Sequence, residues 1–286
     1  MKIIEVIDAV KAYCRGIDRS GNPIDAITSR DQVLHGNAGC ECTGIVTTIY
    51  ASPAVIRAAV ERGANLIISH ETCYWCHGGK TDWLADDPSY KAKSSLLDEF
   101  GITVWRCHDY IHSGVPVGPG GTYVGGIFYG LARKLGWDRC SSSDFYRGVY
   151  EIPETTLDDL ARSLVKTLGL NGARIVGASE TPVRRIRIPG HAFGGNGDDH
   201  LITENRQLDV DCELFLELVD FTIASYIRDS SELARNKCAI TLGHFDTEEP
   251  GMEYMAQWLP KALGDEGCSL RVSYVQAGGF SRYLTA

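Results

Sequence analysis

The chain has 286 residues, 44% of them hydrophobic and 23% charged, with a formal net charge of −9. That composition is ordinary for a globular protein and leaves room for one large domain or two smaller α/β units. The negative balance speaks against a nucleic-acid-binding surface, and no apolar run approaches the roughly 20 residues of a membrane span. Residues Met1 to Val6 enter an amphipathic pattern directly, without an apolar leader, so a cytoplasmic location is expected.

In chain order, residues 3–14 place Ile3, Val6, Ile7, Val10 and Cys14 on one helical face. Residues 44–50 are rich in β-branched side chains and predict a strand. Ser52 and Pro53 supply an N-cap and a first-turn proline for a helix over 54–62 that stops at Gly63. The apolar run 66–69 predicts a second strand, completing a β-α-β unit with His70 at its carboxyl end. A helix over 90–100 precedes a strand over 102–105, whose exit carries His108, Asp109 and His112. The glycines of 118–121 fit neither a dinucleotide fingerprint nor a nucleotide P-loop, which leaves a plain loop before a helix over 123–135.

From about Ser141 a Ser/Asp-rich stretch predicts a linker, giving an α/β half at 1–140 and another at 141–286. The second half is expected to contain a strand over 147–152 and a helix over 156–168 with Leu157, Leu160, Ala161 and Leu164 on one face. Strands near 173–176 and 183–188 follow, then a polar glycine-rich loop over 190–200. Residues 211–229 predict an apolar-faced helix, and 238–242 a strand. A final helix over 251–263 uses Met252, Met255 and Leu259 as core, with Pro260 expected to end it early.

The stretch 243–251 carries the most chemistry. His244 and Glu248, four residues apart at a strand exit, can reach one metal ion from two directions. His70 stands at the end of another strand in the same way, and polar clusters at strand carboxyl ends are where open α/β sheets place their sites. An ordinary solvent-facing loop is the plain competitor for each of these histidines. The ten cysteines are scattered and read as reduced core or loop thiols. Cys73 to His77 matches a haem-attachment pattern, but that chemistry needs export machinery and a distal ligand. Cys40 and Cys42 lack the second knuckle usual for structural zinc.

Together these residues resemble the family of GTP cyclohydrolase 1 type 2 homologues, also called NGG-interacting-factor-three-like proteins. In that family an apolar strand ends in His-His-Pro, a later strand leads into His-Thr-Asn-x-Asp, and a C-terminal Gly-His-x-x-x-Glu closes the site. The resemblance covers nearly the whole chain, most specifically residues 243–259. It implies two similar α/β halves with mixed sheets flanked by helices and a metal site between them. It also implies a homohexamer and a divalent zinc, manganese or iron cofactor, one or two ions per subunit.

Carried over residue by residue, His244 and Glu248 fall on the family's C-terminal metal histidine and bridging glutamate. His70 falls on the second histidine of His-His-Pro, with Ser69 and Glu71 where the first histidine and the proline stand. His112 stands where the aspartate ligand is expected. The implied metal ligands are therefore His70, His112, His244 and Glu248, with His108 read as an orienting neighbour. This nitrogen-richer set lacks charge that helps hold two cations together, a Coulomb term of roughly several kcal/mol. His191 and His200 have no assigned role.

The expected chemistry is metal-assisted hydrolysis of a small molecule, with a cyclic amide or amidine suggested by the cyclohydrolase name. Glu71, Asp109 or Asp246 would carry the proton. The alternative is a metal-binding or regulatory protein without turnover.

Overall fold

The computed structural model describes residues 1–18, 20–77, 79–140, 148–195 and 198–284. The chain divides into two compact units, one of residues 1–130 with 251–278 and the other of 131–250 with 279–286. Each unit holds one five-stranded mixed sheet flanked by helices. Among the described residues no helix is long and apolar enough to cross a membrane.

The first unit opens with α1 (Ile3–Tyr13), which buries Ile3, Val6, Ile7 and Val10, the stripe that the sequence periodicity predicts. Its strands are β1 (Val33–His35), β2 (Ile45–Thr48), β3 (Leu66–Ser69), β4 (Thr103–Arg106) and β10 (Val272–Tyr274). Their order is β1-β4-β3-β2-β10, with β1 antiparallel and the others parallel. The helix α2 (Pro53–Glu61) joins β2 to β3 and starts as expected, the Ser52 hydroxyl accepting from the Val55 N–H at 3.2 Å. Such a cap stabilises a helix by about 1 kcal/mol. Val46, Ile67 and Val104 of the sheet pack with Val55, Ile56 and Ala59 of α2 and Leu97 of α3 (Pro88–Glu99). At ~1.5–3 kcal/mol for each fully buried aliphatic side chain, this layer rather than helix propensity holds the unit together.

Neither β1 nor β10 is expected from the sequence. Each is three residues long, too short for period-two alternation to stand out. The helix after the glycine turn, α5 (Gly126–Leu135), begins three residues later than its periodicity suggests.

The second unit contains β5 (Val149–Thr156), β6 (Arg174–Val176), β7 (Pro182–Ala192), β8 (Cys212–Leu218) and β9 (Cys238–Thr241), in the order β5-β7-β8-β9-β6. The three central strands are parallel and the two edge strands antiparallel. The helix α6 (Leu157–Leu168) is capped by the Thr156 hydroxyl on the Asp159 N–H and buries the predicted face. The Ser/Asp linker expected from Ser141 lies, as far as Arg147, outside the described residues.

Three expectations are corrected here. Residues 211–229 form not one helix but β8 followed by α8 (Ile223–Glu232). β8 is the central strand, buried along nearly its whole length, so its run of Leu and Phe lacks the alternation of a half-exposed strand. The loop expected at 190–200 is shorter, since β7 runs to Ala192 and α7 (Asp199–Gln207) starts at its far end. Finally, Pro260 does not end the last helix, α9 (His244–Leu263). Burial of Trp258, Leu259 and Leu263 carries that helix past the backbone bond that proline removes.

Candidate metal centre

In the first unit, three imidazoles converge through strand register. β3 and β4 are parallel neighbours with Ser69 paired to Arg106, so the chain leaves both strands side by side. His70 follows one exit, Cys107 and His108 the other. The short helix α4 (Asp109–Ser113) then places His112 one turn beyond His108, its N–H bonded to the His108 carbonyl at 3.1 Å. The His70 ring stacks on that of His108 with centroids 4.6 Å apart, and His112 lies 4.9 Å from His70 and 4.8 Å from His108. One nitrogen from each ring lies within 4.8 Å of the others, the spacing of a set that can share a metal ion.

The environment fixes how these rings point. His70 is fully buried, and its Nδ1 donates to the Cys107 carbonyl at 3.1 Å. A carbonyl can only accept, so this bond selects the tautomer whose Nε2 carries the lone pair. The Nδ1 of His108 meets Asp109 Oδ1 at 2.9 Å, the carboxylate–imidazole pairing found behind metal-binding histidines. Burial alone would raise the Asp109 carboxyl. Hydrogen bonds from His108 and the Arg30 N–H, with the Arg30 guanidinium 3.1 Å away, hold it instead well below the usual carboxylate range.

A buried aspartate anchors this arrangement. Asp31 accepts from the backbone N–H groups of His108 at 2.8 Å and Asp109 at 2.7 Å, and from the Ser29 hydroxyl at 2.9 Å. Burial pushes its carboxyl up, and these donors work against that shift. Arg106, buried beneath, donates to the carbonyls of Arg30 and His77. Burial lowers the pKa of Arg106, and the carboxylate of the buried Glu71 works against that shift.

The second unit builds a group by the same device. β7 and β8 pair His191 with Glu217, and β8 and β9 pair Phe215 with Thr241, two residues before Gly243. Gly243 has a φ of 113°, a conformation glycine adopts at little cost, and turns the chain from β9 into α9 at His244. His244 Nδ1 meets Glu217 Oε1 at 2.6 Å, and its Nε2 meets Glu248 Oε2 at 3.1 Å, one helical turn on. The other oxygen of Glu217 contacts His191 Nδ1. The imidazoles of His191 and His244 lie 4.9 Å apart.

Burial would lower the pKa of His244, but the hydrogen bonds to Glu217 and Glu248 outweigh it and push it up to about 10. Glu217, which burial would raise, is brought down to about 2 by His191 and His244.

Of the residues singled out in the sequence, His70 and His112 therefore come together in the first unit, and His244 and Glu248 in the second. His108, read as an orienting neighbour, has its ring inside the first cluster. Asp109 faces His108 and Arg30. Asp246 joins neither group, and its Oδ2 would lie 3.2 Å from a β-carbon at Gly243. Sequence reasoning missed Glu217 and Asp31. Reading 212–218 as a strand would have put Glu217 at a strand exit beside His244, whereas Asp31 lies in a loop with no pattern to mark it. Among the described residues no cysteine joins these groups, and burial pushes the Cys73 thiol up to about 11, as suits a packed thiol.

Comparison with known proteins bears on this arrangement. Residues 32–277 match the family described as Duf34/NIF3 (NGG1p interacting factor 3). A "GTP cyclohydrolase 1 type 2 homolog" of Clostridium acetobutylicum is 24% identical over 270 residues, spanning 90% of this chain and 92% of its own. Among solved structures, the hypothetical protein SA1388 of Staphylococcus aureus superposes with a TM-score of 0.69 at 18% identity, covering 100% of this chain and 99% of its own. A Bacillus cereus protein related to NIF3 gives a TM-score of 0.70 at 10% identity with the same coverage. At these identities the structures speak for the fold.

Proposed function

The chain belongs to the Duf34/NIF3 family, and we propose that it is a metal-dependent hydrolase holding one or two divalent ions per chain. The observation that carries the reading is the convergence of His70, His108 and His112 within 4.8 Å. Imidazole donors suit zinc and iron, and the carboxylates of the second group extend the range to manganese. The residues fit such an ion because the Nδ1 atoms of His70 and His108 face acceptors, the arrangement that presents Nε2 to a metal. A divalent ion, when bound, lowers the pKa of coordinated water towards neutrality and polarises a substrate carbonyl.

The rest of the chemistry falls to the chain. His70, His108 and His112 bind in the first unit, and His244 with Glu248 in the second. Asp31 and Asp109 orient the helix and ring that carry His108. Proton transfer falls to Glu71 or Asp246, since Asp109 is committed to His108 and Arg30. The cyclohydrolase name of the Clostridium relative suggests a small cyclic amide or amidine as substrate. The hexamer belongs to the same proposal and predicts a particle of six times 31.3 kDa by light scattering; a monomer would remove it.

The commitment of Asp109 favours a second reading, metal binding without turnover, because it takes one proton carrier out of play. A screen of cyclic amides, pyridine and pterin derivatives with added zinc, manganese or iron separates the two readings. Metal-dependent ring opening that is lost on chelation supports the hydrolase. Metal-loaded protein inert to the whole panel supports the carrier.

A further inference from the structure

Glu217 belongs to none of the sequence motifs, yet it touches two imidazoles at once. It lies at the carboxyl end of β8, the central strand, between His191 opposite it on β7 and His244 just beyond β9. Its Oε1 meets His244 Nδ1 at 2.6 Å, and its Oε2 contacts His191 Nδ1. On the far edge of the same ring, His244 Nε2 faces Glu248 at 3.1 Å. The two nitrogens of His244 thus have different partners, one on a strand and one on its own helix.

We propose that Glu217 is a positioning residue for His244, accepting its Nδ1–H so that Nε2 is the atom presented beside Glu248, while His191 holds the second carboxylate oxygen. The inference rests on the reading that His244 binds a metal ion. Carboxylates that accept from the remote nitrogen of a metal-binding histidine fix its tautomer and raise its basicity, and losing one typically costs ten- to hundredfold in metal affinity. An exposed ion pair formed only for solubility would cost nothing measurable.

Several observations distinguish Glu217 from such a pair. Both of its oxygens are used, each on a different ring, so the carboxylate cannot swing without breaking one contact. His191 is itself backed by Phe193, stacked at 5.3 Å with planes 7° apart, which restrains the ring that restrains Glu217. The contact of 2.6 Å between His244 Nδ1 and Glu217 Oε1 is also too short for one ion to fit between these two atoms in this arrangement, since ligand atoms around a metal with bonds of ~2.0–2.2 Å lie farther apart. That geometry makes Glu217 a partner of the ring rather than a ligand.

The test uses cobalt(II) as probe on the full-length protein, comparing wild type with E217A, E217Q, H191A and H244A, each checked for folding by circular dichroism. Both affinity and the visible absorption of the bound cobalt are read. E217A is expected to weaken cobalt binding ten- to hundredfold and to alter the absorption band. E217Q keeps a carbonyl acceptor for Nδ1–H and is expected to recover most of the affinity and the wild-type band. H191A leaves the Glu217–His244 contact in place and should lose less than E217A. An E217A protein that binds cobalt like wild type while H244A does not would overturn this inference alone. So would an E217Q protein as weak as E217A, because charge rather than the hydrogen bond would then be what matters. If H244A itself bound cobalt as wild type does, the metal reading at His244 would fall and this inference with it.

Discussion

At the scale of single residues, imidazoles are fixed by acceptors on their Nδ1 atoms: a backbone carbonyl for His70, Asp109 for His108 and Glu217 for His244. In the metal-free protein the two carboxylates around His244 hold its proton up to about 10, above the ordinary value of 6.5. A raised folded-state pKa contributes stability that is fully present below the unfolded value and is lost as pH rises through the folded one. The stability gap between chelator-treated wild type and H244A should therefore shrink between pH 6.5 and about 10. Urea unfolding at a series of pH values measures it, and a gap that widened across that window would contradict the assignment. Metal must displace the same proton, so affinity at this group should fall as the medium becomes more acidic.

At the scale of elements, much of the site was legible because it sits at strand exits. The run 66–69 is short, apolar and followed by histidine, and the structure makes it a buried parallel strand with His70 at its end. The run 212–218 has nearly the same character but contains Glu213 and Glu217, and it too is a buried strand rather than part of the expected helix. The physical reason lies in a partner far along the sequence. Glu213 is buried because Arg187, its register partner on β7, meets it with two hydrogen bonds of 2.8 and 2.7 Å, while Asn205 adds a third. Glu213→Ala leaves the buried Arg187 with Glu204 as its remaining ion-pair partner and part of its donors unsatisfied, and should cost about 1–3 kcal/mol in denaturant unfolding. The volume-matched double change R187M/E213L should cost far less, and equal losses in the two would show that packing rather than charge decides. Gly251 is a second element-level constraint. A β-carbon there would lie 2.5 Å from the Ile127 α-carbon, so Gly251→Ala should destabilise by about 1–3 kcal/mol, read as a lowered melting temperature. A melting temperature equal to wild type would mean that α9 shifts freely.

At the scale of the molecule, the chain repeats one plan, a five-stranded mixed sheet with parallel central strands whose carboxyl ends carry imidazoles and carboxylates. The plan was visible from the alternation of strands and helices. The return of residues 251–278 to the first unit was not, because β10 is three residues long and takes its place only through pairing with β2. The places of His108 and Glu217 in these groups were not legible for a related reason: they depend on which strand ends stand side by side, and register is a property of the folded sheet. The central claim is that these histidines hold metal. Its most direct test is element-resolved metal stoichiometry of the protein loaded with zinc, manganese or iron, for wild type, H112A and H244A. One or two ions per chain in wild type, with the stoichiometry lowered in each variant, is the predicted result. A wild-type protein that retains no ion, or two variants that retain as much as wild type, would contradict it.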